Sequence, residues 1–201
     1  MKKNIEECPL EFFDAIYCIT LNPASPRAQI AEAQFRSLGL CVEFITGERT
    51  DPYQKGCAEA HLKCIELAKR KNCKNVLIFE DDVAFINYDS KILEECIKSL
   101  PSSWEFFFLG GRLWENRPMK KITDGLLKAK VDENHAYAIN RTVFDEILSW
   151  ILQPEDHITK LYEQFSECYT VFPLMTLQVD RTKPHRSTYA LHSNLRIQYA
   201  Q

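Results

Sequence analysis

The chain has 201 residues, of which 45% are hydrophobic and 26% are charged, a balance that is typical of an ordinary soluble globular protein. This length accommodates one substantial hydrophobic core and is short for two, so we predict a single domain over residues 1–201. The formal net charge of −3 argues against nucleic acid as the main partner, because a phosphate backbone selects a basic protein face.

The N-terminal stretch "MKKNIEECPLEFFDAIYCI" lacks the pattern of a secretory signal peptide, since acidic residues interrupt its apolar part. No apolar run in the sequence is long enough to span a bilayer. We therefore expect a cytoplasmic protein without a transmembrane segment, a prediction that is compatible with peripheral membrane contact.

The cysteines follow no spacing that is typical of a zinc site, and none of them forms a C-x-x-C pair. Most of them lie inside apolar segments, so we predict reduced thiols that pack as small hydrophobic side chains. The eight cysteines are at positions 8, 18, 41, 57, 64, 73, 96 and 168.

The first half of the chain predicts alternating strands and helices. A strand over 14–21 is followed by a polar turn and a helix over 26–38, which ends at Gly39. A second strand over 41–47 ends in glycine, and the segment 55–72 has apolar residues at helical spacing. The run "VLIF" then predicts a buried strand.

The second half continues this alternation. A helix around 89–99 ends before Pro101, and the strand 104–111 ends in two glycines. A strand over 134–140 precedes a helix over 141–152. Strands that alternate with helices predict an α/β fold with a mainly parallel central sheet flanked by helices.

Ligands of such sheets bind beyond the carboxyl ends of the strands. The sequence places polar residues and glycines at several of these predicted ends: Thr20 to Asn22, Gly47, Glu80, Asp81, Asp82, Gly110 and Gly111. Three adjacent carboxylates after a buried strand repel one another, so they need a counter-charge. The predicted ligand crevice therefore contains a concentration of negative charge.

On an extended backbone, Glu80 and Asp82 point to the same side while Asp81 turns away. Two converging carboxylates match the preference of Mg²⁺ or Mn²⁺ for oxygen ligands, and such ions often share a site with substrate phosphates. A solvated acidic loop after a strand is the alternative interpretation of the same three residues.

Several ordered blocks resemble glycosyltransferase family 25, the lipooligosaccharide and procollagen galactosyltransferase-like enzymes with a GT-A fold. The similar blocks, spread over roughly residues 14 to 190, are "YCITLNPASPR", "FITG", "GCAEAHLKCIELA", "VLIFEDDVAF", "WEFFFLGG" and "HAYAINRTVFDEIL". The chain departs from the family pattern at Thr20 and Ala60, where the family usually has asparagine and serine. The resemblance implies a single-domain, Rossmann-like GT-A sandwich.

The resemblance also implies metal-dependent transfer of a hexose, galactose or glucose, from a UDP-sugar to a hydroxyl group of a glycan, lipooligosaccharide or hydroxylysine-type acceptor. Mn²⁺ or Mg²⁺ would be the cofactor. Asp82 is the expected direct ligand, supported by Glu80 and by His185 near the C-terminus. Thr20, Leu21, Arg27, Gly47, His61, Asp81 and Arg186 are expected to border the donor.

Inversion at the sugar centre requires a base that deprotonates the acceptor hydroxyl. Asp156 falls where the family shows a Pro-x-Asp motif, and Glu155 is the alternative base. An acidic turn that caps a helix and has no catalytic role would explain the same two residues. Trp114 is a weaker candidate for an acceptor contact, and His192 is a weaker rival of His185.

Two other functions fit parts of the sequence. A metal-dependent phosphohydrolase also uses carboxylates after a strand, although further acidic ligands at other strand ends are few here. A non-catalytic module that binds nucleotide sugars or glycans would have the same fold. Binding of UDP with Mn²⁺ separates the first rival from the enzyme, and sugar transfer separates the second.

Overall fold

A sheet of eight strands runs through the residues that the computed structural model describes, which are 9–113, 117–151 and 153–179. Ten strands occur in these ranges: β1 Ala15–Thr20, β2 Glu43–Thr46, β3 Asn75–Glu80, β4 Val83–Phe85, β5 Phe106–Phe108, β6 Lys120–Lys121, β7 Leu126–Lys128, β8 Ala136–Asn140, β9 Cys168–Val171 and β10 Thr176–Gln178. The strand order in the large sheet is β2-β1-β3-β8-β5-β9-β7-β6, and β4 pairs with β10 in a small separate sheet.

The large sheet is mixed, but most of its strands point one way. Strand β1 is parallel to β2 and β3, and β5 is parallel to β9. Only β8 and β7 are antiparallel to the neighbours on both sides, so six of the eight described strands share a direction. The predicted α/β class with a mainly parallel sheet is confirmed.

Five α-helices accompany the described strands: α1 Pro26–Ser37, α2 Tyr53–Arg70, α3 Ser90–Ser99, α4 Phe144–Leu148 and α5 Thr159–Glu163. Side chains that follow the known rules for helix starts cap two of them. The Ser25 hydroxyl accepts a hydrogen bond from Ala28 N at 3.1 Å, and Asp89 accepts from Lys91 N and Ile92 N. No helix in the described ranges combines the length and the apolarity needed to cross a membrane.

The central strand β3 has hydrophobic residues on both faces because helices cover both faces of the sheet. Val76 and Ile78 pack into the cluster that includes Ile65 of α2. Leu77 and Phe79 pack on the other side, in the cluster that includes Phe35 of α1. All four strand residues are fully buried, which explains the uninterrupted apolar run in the sequence.

Two predicted elements are shorter than expected. Within the segment 104–111, only Phe106–Phe108 form a regular strand, and Trp104 packs in the core before it. The helix predicted over 141–152 is a 3₁₀ turn over Arg141–Val143 followed by a five-residue α-helix. Tertiary packing of the short segment overrides its helical pattern.

The cysteines within the described ranges are all free thiols, as predicted. Five of them are buried, and their residue numbers are Cys18, Cys64, Cys73, Cys96 and Cys168. Cys41 is exposed and Cys57 is half-buried, whereas Cys8 lies outside the described residues. Burial of most thiols agrees with their predicted role as small core residues.

Candidate active site

A cleft of about 970 Å³ opens at the carboxyl ends of β1, β2 and β3. Thr20 and Gly47 end two of these strands, and Gly47 N donates to Thr20 O at 2.9 Å. Glu80, Asp81 and Asp82 follow the third strand and also line the cleft. The parallel arrangement of β2, β1 and β3 therefore brings residues that are far apart in sequence to one edge of the sheet.

The Asp81 carboxylate links β1, β3 and α1. Its Oδ2 accepts a hydrogen bond from the Thr20 hydroxyl at 2.6 Å, and its Oδ1 contacts Arg27 Nη2 at 2.5 Å. Both oxygens therefore have protein partners, and Asp81 N donates to Ile19 O at 3.0 Å. Asp81 is placed to hold the cleft wall and to orient Arg27.

Glu80 and Asp82 converge, as predicted, but Asp81 does not turn away from the cleft, because β3 ends at Glu80 and the two aspartates lie in a turn in which both contact Arg27. Gln178 Nε2 lies 3.3 Å from Glu80 Oε2 and 3.1 Å from Asp82 Oδ2. Arg27 Nη2 lies 3.0 Å from the same Asp82 oxygen. The other oxygen, Oδ1 of Asp82, is buried and accepts no hydrogen bond within the described part of the chain.

This unpartnered carboxylate oxygen is an observation that fits a metal ligand, because a buried acceptor without a partner is costly unless a ligand satisfies it. Carboxylate oxygens from Glu80 and Asp82 also match the donor preference of Mg²⁺ and Mn²⁺. The residues present thus fit the metal that the family resemblance implies.

His61 lies behind Glu80 on α2 and is fully buried. Its Nε2 is 3.1 Å from Glu80 Oε1, and its Nδ1 is 2.8 Å from the hydroxyl of Tyr137 on β8. Both ring nitrogens are used inside the protein. The expected direct contact of His61 with donor phosphate or ribose is not made in this arrangement, and the ring instead positions Glu80.

The electrostatics of this cluster differ strongly between neighbours. Burial lowers the pKa of His61, but hydrogen bonds to Cys57 and Glu80 outweigh it and raise that pKa to about 9. Burial raises the pKa of Glu80, but His61 outweighs this and the net pKa is lowered. Burial and the charge of Glu80 raise the pKa of Asp82. Such divergent pKa values are typical of functional sites.

The opposite wall of the cleft comes from the segment that precedes β8. Arg112 and Asp132 pair through their backbones, and Arg117 Nη1 lies 3.0 Å from Asp132 Oδ1. Glu133 has a φ of 76°, which is unusual for a residue other than glycine, and burial raises the pKa of its carboxyl group. Asn134 Oδ1 is buried and has no hydrogen-bond partner among the described residues.

The predicted base Asp156 lies beside this cleft, but its carboxylate is occupied. It contacts Lys160 Nζ and accepts a hydrogen bond from Gln153 N at 3.1 Å. These contacts, the one with Lys160 above all, lower the pKa of Asp156. Glu155 is exposed, and the neighbouring His157 lines the cleft in place of both acids. The catalytic role of Asp156 or Glu155 stays a prediction.

Other predicted residues lie at the rim or outside the site. Leu21 lines the cleft with 53% of its surface exposed. Trp114, His185, Arg186 and His192 lie outside the described residues. Gly110 and Gly111 are buried against other parts of the chain, so they serve close packing of the fold and leave no room for a sugar.

Two aromatic side chains, Tyr53 and His157, contact each other at the cleft. Tyr53, at the start of α2, is 66% exposed, and its ring meets the ring of His157 edge to face at a centroid distance of 5.8 Å. Both residues line the cleft. An exposed ring in a cleft offers an apolar face on which a planar ligand can stack.

A second cavity of about 540 Å³ adjoins the cleft, with which it shares Arg117 and Glu163. Its apolar lining includes Met119 and Ala129. Its basic lining residues besides Arg117 are Lys120, Lys128 and Lys130. The cavity lies beside the edge strand β6 and its neighbour β7.

Sequence reasoning missed several residues of the site, because tertiary structure alone brings them there. The pairing of β10 with β4 brings Gln178 to the acids, and no periodicity in the sequence predicts this pairing. The sequence pattern predicts a strand around Tyr137 and a packed thiol at Cys57, so it assigns neither residue to the site. The one sequence feature that links Cys57 to the site is its spacing of four residues from His61 on a helix.

Solved structures match this chain only at low similarity. A197 from STIV has a TM-score of 0.48 at 10% identity, over 82% of this chain and 84% of that chain. A putative glucose-1-phosphate thymidylyltransferase from Bacillus anthracis has a TM-score of 0.49 at 13% identity, over 92% and 78%. A glycosyltransferase involved in glycosylation of the major capsid of PBCV-1 has a TM-score of 0.40 at 11% identity, over 66% and 62%.

The sequence comparison with protein families is more specific than these structural likenesses. No curated protein matches the chain significantly. The family model of glycosyltransferase family 25, described as LPS biosynthesis protein, matches residues 1–145, which is well over half of the chain. This match includes Thr20, Arg27, His61 and the three acids that line the cleft. The chain belongs to glycosyltransferase family 25.

Proposed function

We propose that this glycosyltransferase transfers a hexose, galactose or glucose, from a UDP-sugar to a hydroxyl group of a glycan or lipooligosaccharide, with a divalent cation and with inversion. The observation that carries the proposal is the converging pair of Glu80 and buried Asp82, which lies beside Arg27 in a cleft of about 970 Å³ and in which Asp82 Oδ1 has no partner among the described residues. A cleft of this volume accommodates a nucleotide sugar.

The carboxylates of Asp82 and Glu80 would hold Mn²⁺ or Mg²⁺, with His185 retained as a proposed further ligand. When bound, the ion neutralises the charge that develops on the leaving diphosphate. Arg27 supplies a second positive charge at the same place, since its half-exposed guanidinium already contacts Asp82. We propose that Arg27, with Arg186, pairs with phosphate oxygens of the donor.

The nucleoside part of the donor has an apolar and aromatic surface available. We assign the uracil ring to the face of Tyr53, which is exposed at the cleft, and Leu21 adds a further apolar side chain to the cleft lining. The ends of β1 and β2, at Thr20 and Gly47, offer a backbone edge. Glycine at position 47 permits the close approach of α2, because a Cβ there would lie 3.2 Å from Ala60 Cβ.

The acceptor hydroxyl needs a base that it can reach, and Glu133 meets this requirement better than the predicted Asp156. Glu133 lines the cleft, and burial raises the pKa of its carboxyl group toward the range useful for proton transfer. Asp156 has a lowered pKa and an ion pair with Lys160. We therefore propose Glu133 as the residue that takes the proton, with Asp156 as the alternative.

The second cavity is the proposed entrance for the acceptor. It adjoins the donor cleft at Arg117 and Glu163, so a glycan bound there can extend a hydroxyl toward Glu133. The apolar floor and the basic residues around it suit a saccharide that carries an anionic group.

The first test measures binding of UDP, the product that the donor leaves after sugar transfer. UDP with Mn²⁺ is expected to raise the melting temperature, and EDTA should abolish the increase. Asp82→Asn removes the charged ligand and should remove the metal-dependent part of the shift. Asp145→Asn, an exposed carboxylate on α4, is the matched control and should behave as wild type. A protein that UDP never stabilises, with or without metal, contradicts the proposal.

The second test separates an enzyme from a binding module. UDP-galactose and UDP-glucose are incubated with candidate acceptors, and release of UDP is measured. Glu133→Gln should reduce kcat by about 100-fold or more while UDP affinity stays unchanged, as expected when only a base is lost. If Asp156→Asn has the large effect and Glu133→Gln has none, the assignment of the base is reversed.

A further inference from the structure

Cys57, His61 and Glu80 form a cluster of potential metal ligands on one side of the cleft. One ligand atom from each residue, the thiol sulfur, a ring nitrogen and a carboxylate oxygen, lies within 4.8 Å of the other two. Cys57 and His61 are four residues apart on α2, so they share one helix face. Glu80 reaches them from the end of β3.

The chemistry of this cluster differs from that of the Glu80 and Asp82 pair. A sulfur, a nitrogen and an oxygen are the donors that zinc and similar thiophilic cations select, whereas Mg²⁺ and Mn²⁺ prefer oxygen alone. Three protein ligands leave one position of a tetrahedral site open. Cys57 and Glu80 line the cleft, so this open position would face its interior.

The residues around the cluster already orient it. Tyr137 holds Nδ1 of the His61 ring at 2.8 Å, which leaves Nε2 directed toward Glu80 Oε1 at 3.1 Å. Gln178 holds the other oxygen of Glu80 at 3.3 Å. Outer partners of this kind fix ligand orientation in known metal sites. The side chains of His61 and Glu80 are therefore held in place before any ion binds.

We propose that Cys57, His61 and Glu80 form a site for a thiophilic divalent cation of the zinc class. This site differs from the proposed Mn²⁺ position and shares only Glu80 with it. Binding releases the thiol proton of Cys57 and the Nε2 proton that His61 donates to Glu80, and one bond from each of these two residues to the ion replaces their hydrogen bond. The ligand atoms must approach to about 3.5 Å of one another, since bonds to zinc are about 2.0–2.3 Å long.

Sharing of Glu80 has a consequence for the enzyme. A cation at this site draws Glu80 toward His61 and Cys57, and so takes it from the donor side of the cleft. Thiophilic cations are therefore expected to weaken the binding of UDP with Mn²⁺. This consequence depends on the proposed function, whereas the site itself does not.

Cobalt spectroscopy tests the site directly. One equivalent of Co²⁺, added to the reduced protein without oxygen, should give a thiolate-to-cobalt charge-transfer band in the near ultraviolet and visible bands of a tetrahedral ion. Zn²⁺ should remove these bands by displacement. Cys57→Ser should lose the charge-transfer band, while Cys41→Ser, which changes an exposed thiol, should keep it.

Affinity gives a second measure with the same variants. Competition with a chromophoric chelator should show a Zn²⁺ affinity that falls by about 100-fold or more in Cys57→Ser, since loss of an outer partner alone costs 10–100-fold. Circular dichroism confirms that each variant is folded. Wild-type protein that gives no thiolate band with Co²⁺, or a band that Cys57→Ser retains, overturns the proposal.

Protection from alkylation tests the site without any variant. Zn²⁺ should slow the reaction of Cys57 with N-ethylmaleimide, read by mass spectrometry of the peptide, and EDTA should restore the rate. The exposed Cys41 serves as the internal control and should react equally fast in both conditions. Equal protection of both cysteines, or of neither, contradicts the proposal. Binding of UDP with Mn²⁺ is scored separately, so failure of one proposal leaves the other standing.

Discussion

Arg27 is the residue that compensates most directly for the crowded negative charge of the site. Its guanidinium contacts Asp81 at 2.5 Å and Asp82 at 3.0 Å, and these contacts connect α1 to the end of β3. The charges of both acids raise the pKa of Arg27, although burial opposes them. In the protein without metal, this one cation offsets part of the repulsion among three carboxylates.

Replacement of Arg27 should therefore destabilise the free protein more than a surface arginine does. Arg27→Gln is expected to lose about 1 kcal/mol of unfolding free energy, or roughly 2–4 °C in melting temperature, because two partly buried acids lose a partner. Mn²⁺ should recover part of this loss. Arg36→Gln on the same helix is the control, since its partner Glu32 is exposed. Equal effects of the two variants would refute this role.

His135 predicts how stability depends on pH. It is fully buried, and burial lowers its pKa from 6.5 to about 4 even though the charge of Glu80 opposes the shift. A histidine with a lowered folded-state pKa stabilises the protein fully above pH 6.5 and loses this contribution as the pH falls toward 4. The loss amounts to about 3 kcal/mol at 1.36 kcal/mol per pH unit.

The measurement is denaturant unfolding between pH 4 and 7. His135→Gln, which keeps a polar group near Thr176, should lose less stability over this range than wild type. His157→Gln changes an exposed histidine and should follow the wild-type curve. The explanation fails if His135→Gln loses as much stability on acidification as the unchanged protein.

At the scale of elements, the junction between β5 and β10 depends on the absence of a side chain. A Cβ at Gly110 would lie 2.1 Å from Thr176 Oγ1 and 2.5 Å from Thr176 O. Gly110 also forms a parallel bridge with Thr176, two residues before Gln178. The small sheet of β4 and β10, which brings Gln178 to the acids, therefore needs glycine at this point.

Gly110→Ala should cost at least about 3 kcal/mol of unfolding free energy, at the upper end of overpacking substitutions, because the new Cβ meets a backbone oxygen as well as two buried side chains, those of Thr176 and His135. Gly39→Ala is the matched control. Nothing lies within 4 Å of its Cβ position, and only its φ of +71° opposes alanine, at a cost of about 1 kcal/mol. Urea unfolding measures the loss of unfolding free energy in both variants. Similar losses in the two would exclude the packing explanation.

At the scale of the whole molecule, two cavities meet at Arg117 and Glu163. In the second cavity, Lys128 pairs with Glu167, but Lys130 Nζ donates only to a backbone carbonyl, Glu163 O, at 2.6 Å. Lys120 is exposed and has no carboxylate partner among the described residues. These two lysines provide positive charge that an anionic acceptor can use.

Lys120→Glu combined with Lys130→Glu should lower affinity for a phosphorylated oligosaccharide by about 3- to 10-fold, the range expected for exposed charges. Affinity for its dephosphorylated form, and for UDP with Mn²⁺, should stay unchanged. High salt should reduce the difference. The control variant carries Lys91→Glu and Lys98→Glu on α3. Calorimetry measures the affinity of each variant for each ligand. An equal loss for the neutral oligosaccharide would refute charge recognition.

The sequence by itself determined the class of the fold and the strand end at which the acids lie. The apolar run from Val76 to Phe79, rich in β-branched and aromatic residues, predicted a strand buried on both faces, and the structure has this strand with the acids after it. The spacing of Glu80 and Asp82 also predicted that they converge. These features are local, because period and burial are written in consecutive residues.

Only the tertiary structure decided which partners the acids have. Gln178 contacts Glu80 across 98 residues of chain, and Tyr137 contacts His61, the partner of Glu80, across 76 residues, and no local pattern encodes either contact. Long-range packing also brings Glu133 into the cleft, whereas the pairing of Asp156 with Lys160 is a local contact between residues four apart. The sequence determines where negative charge accumulates, and long-range packing determines most of the side chains that surround it.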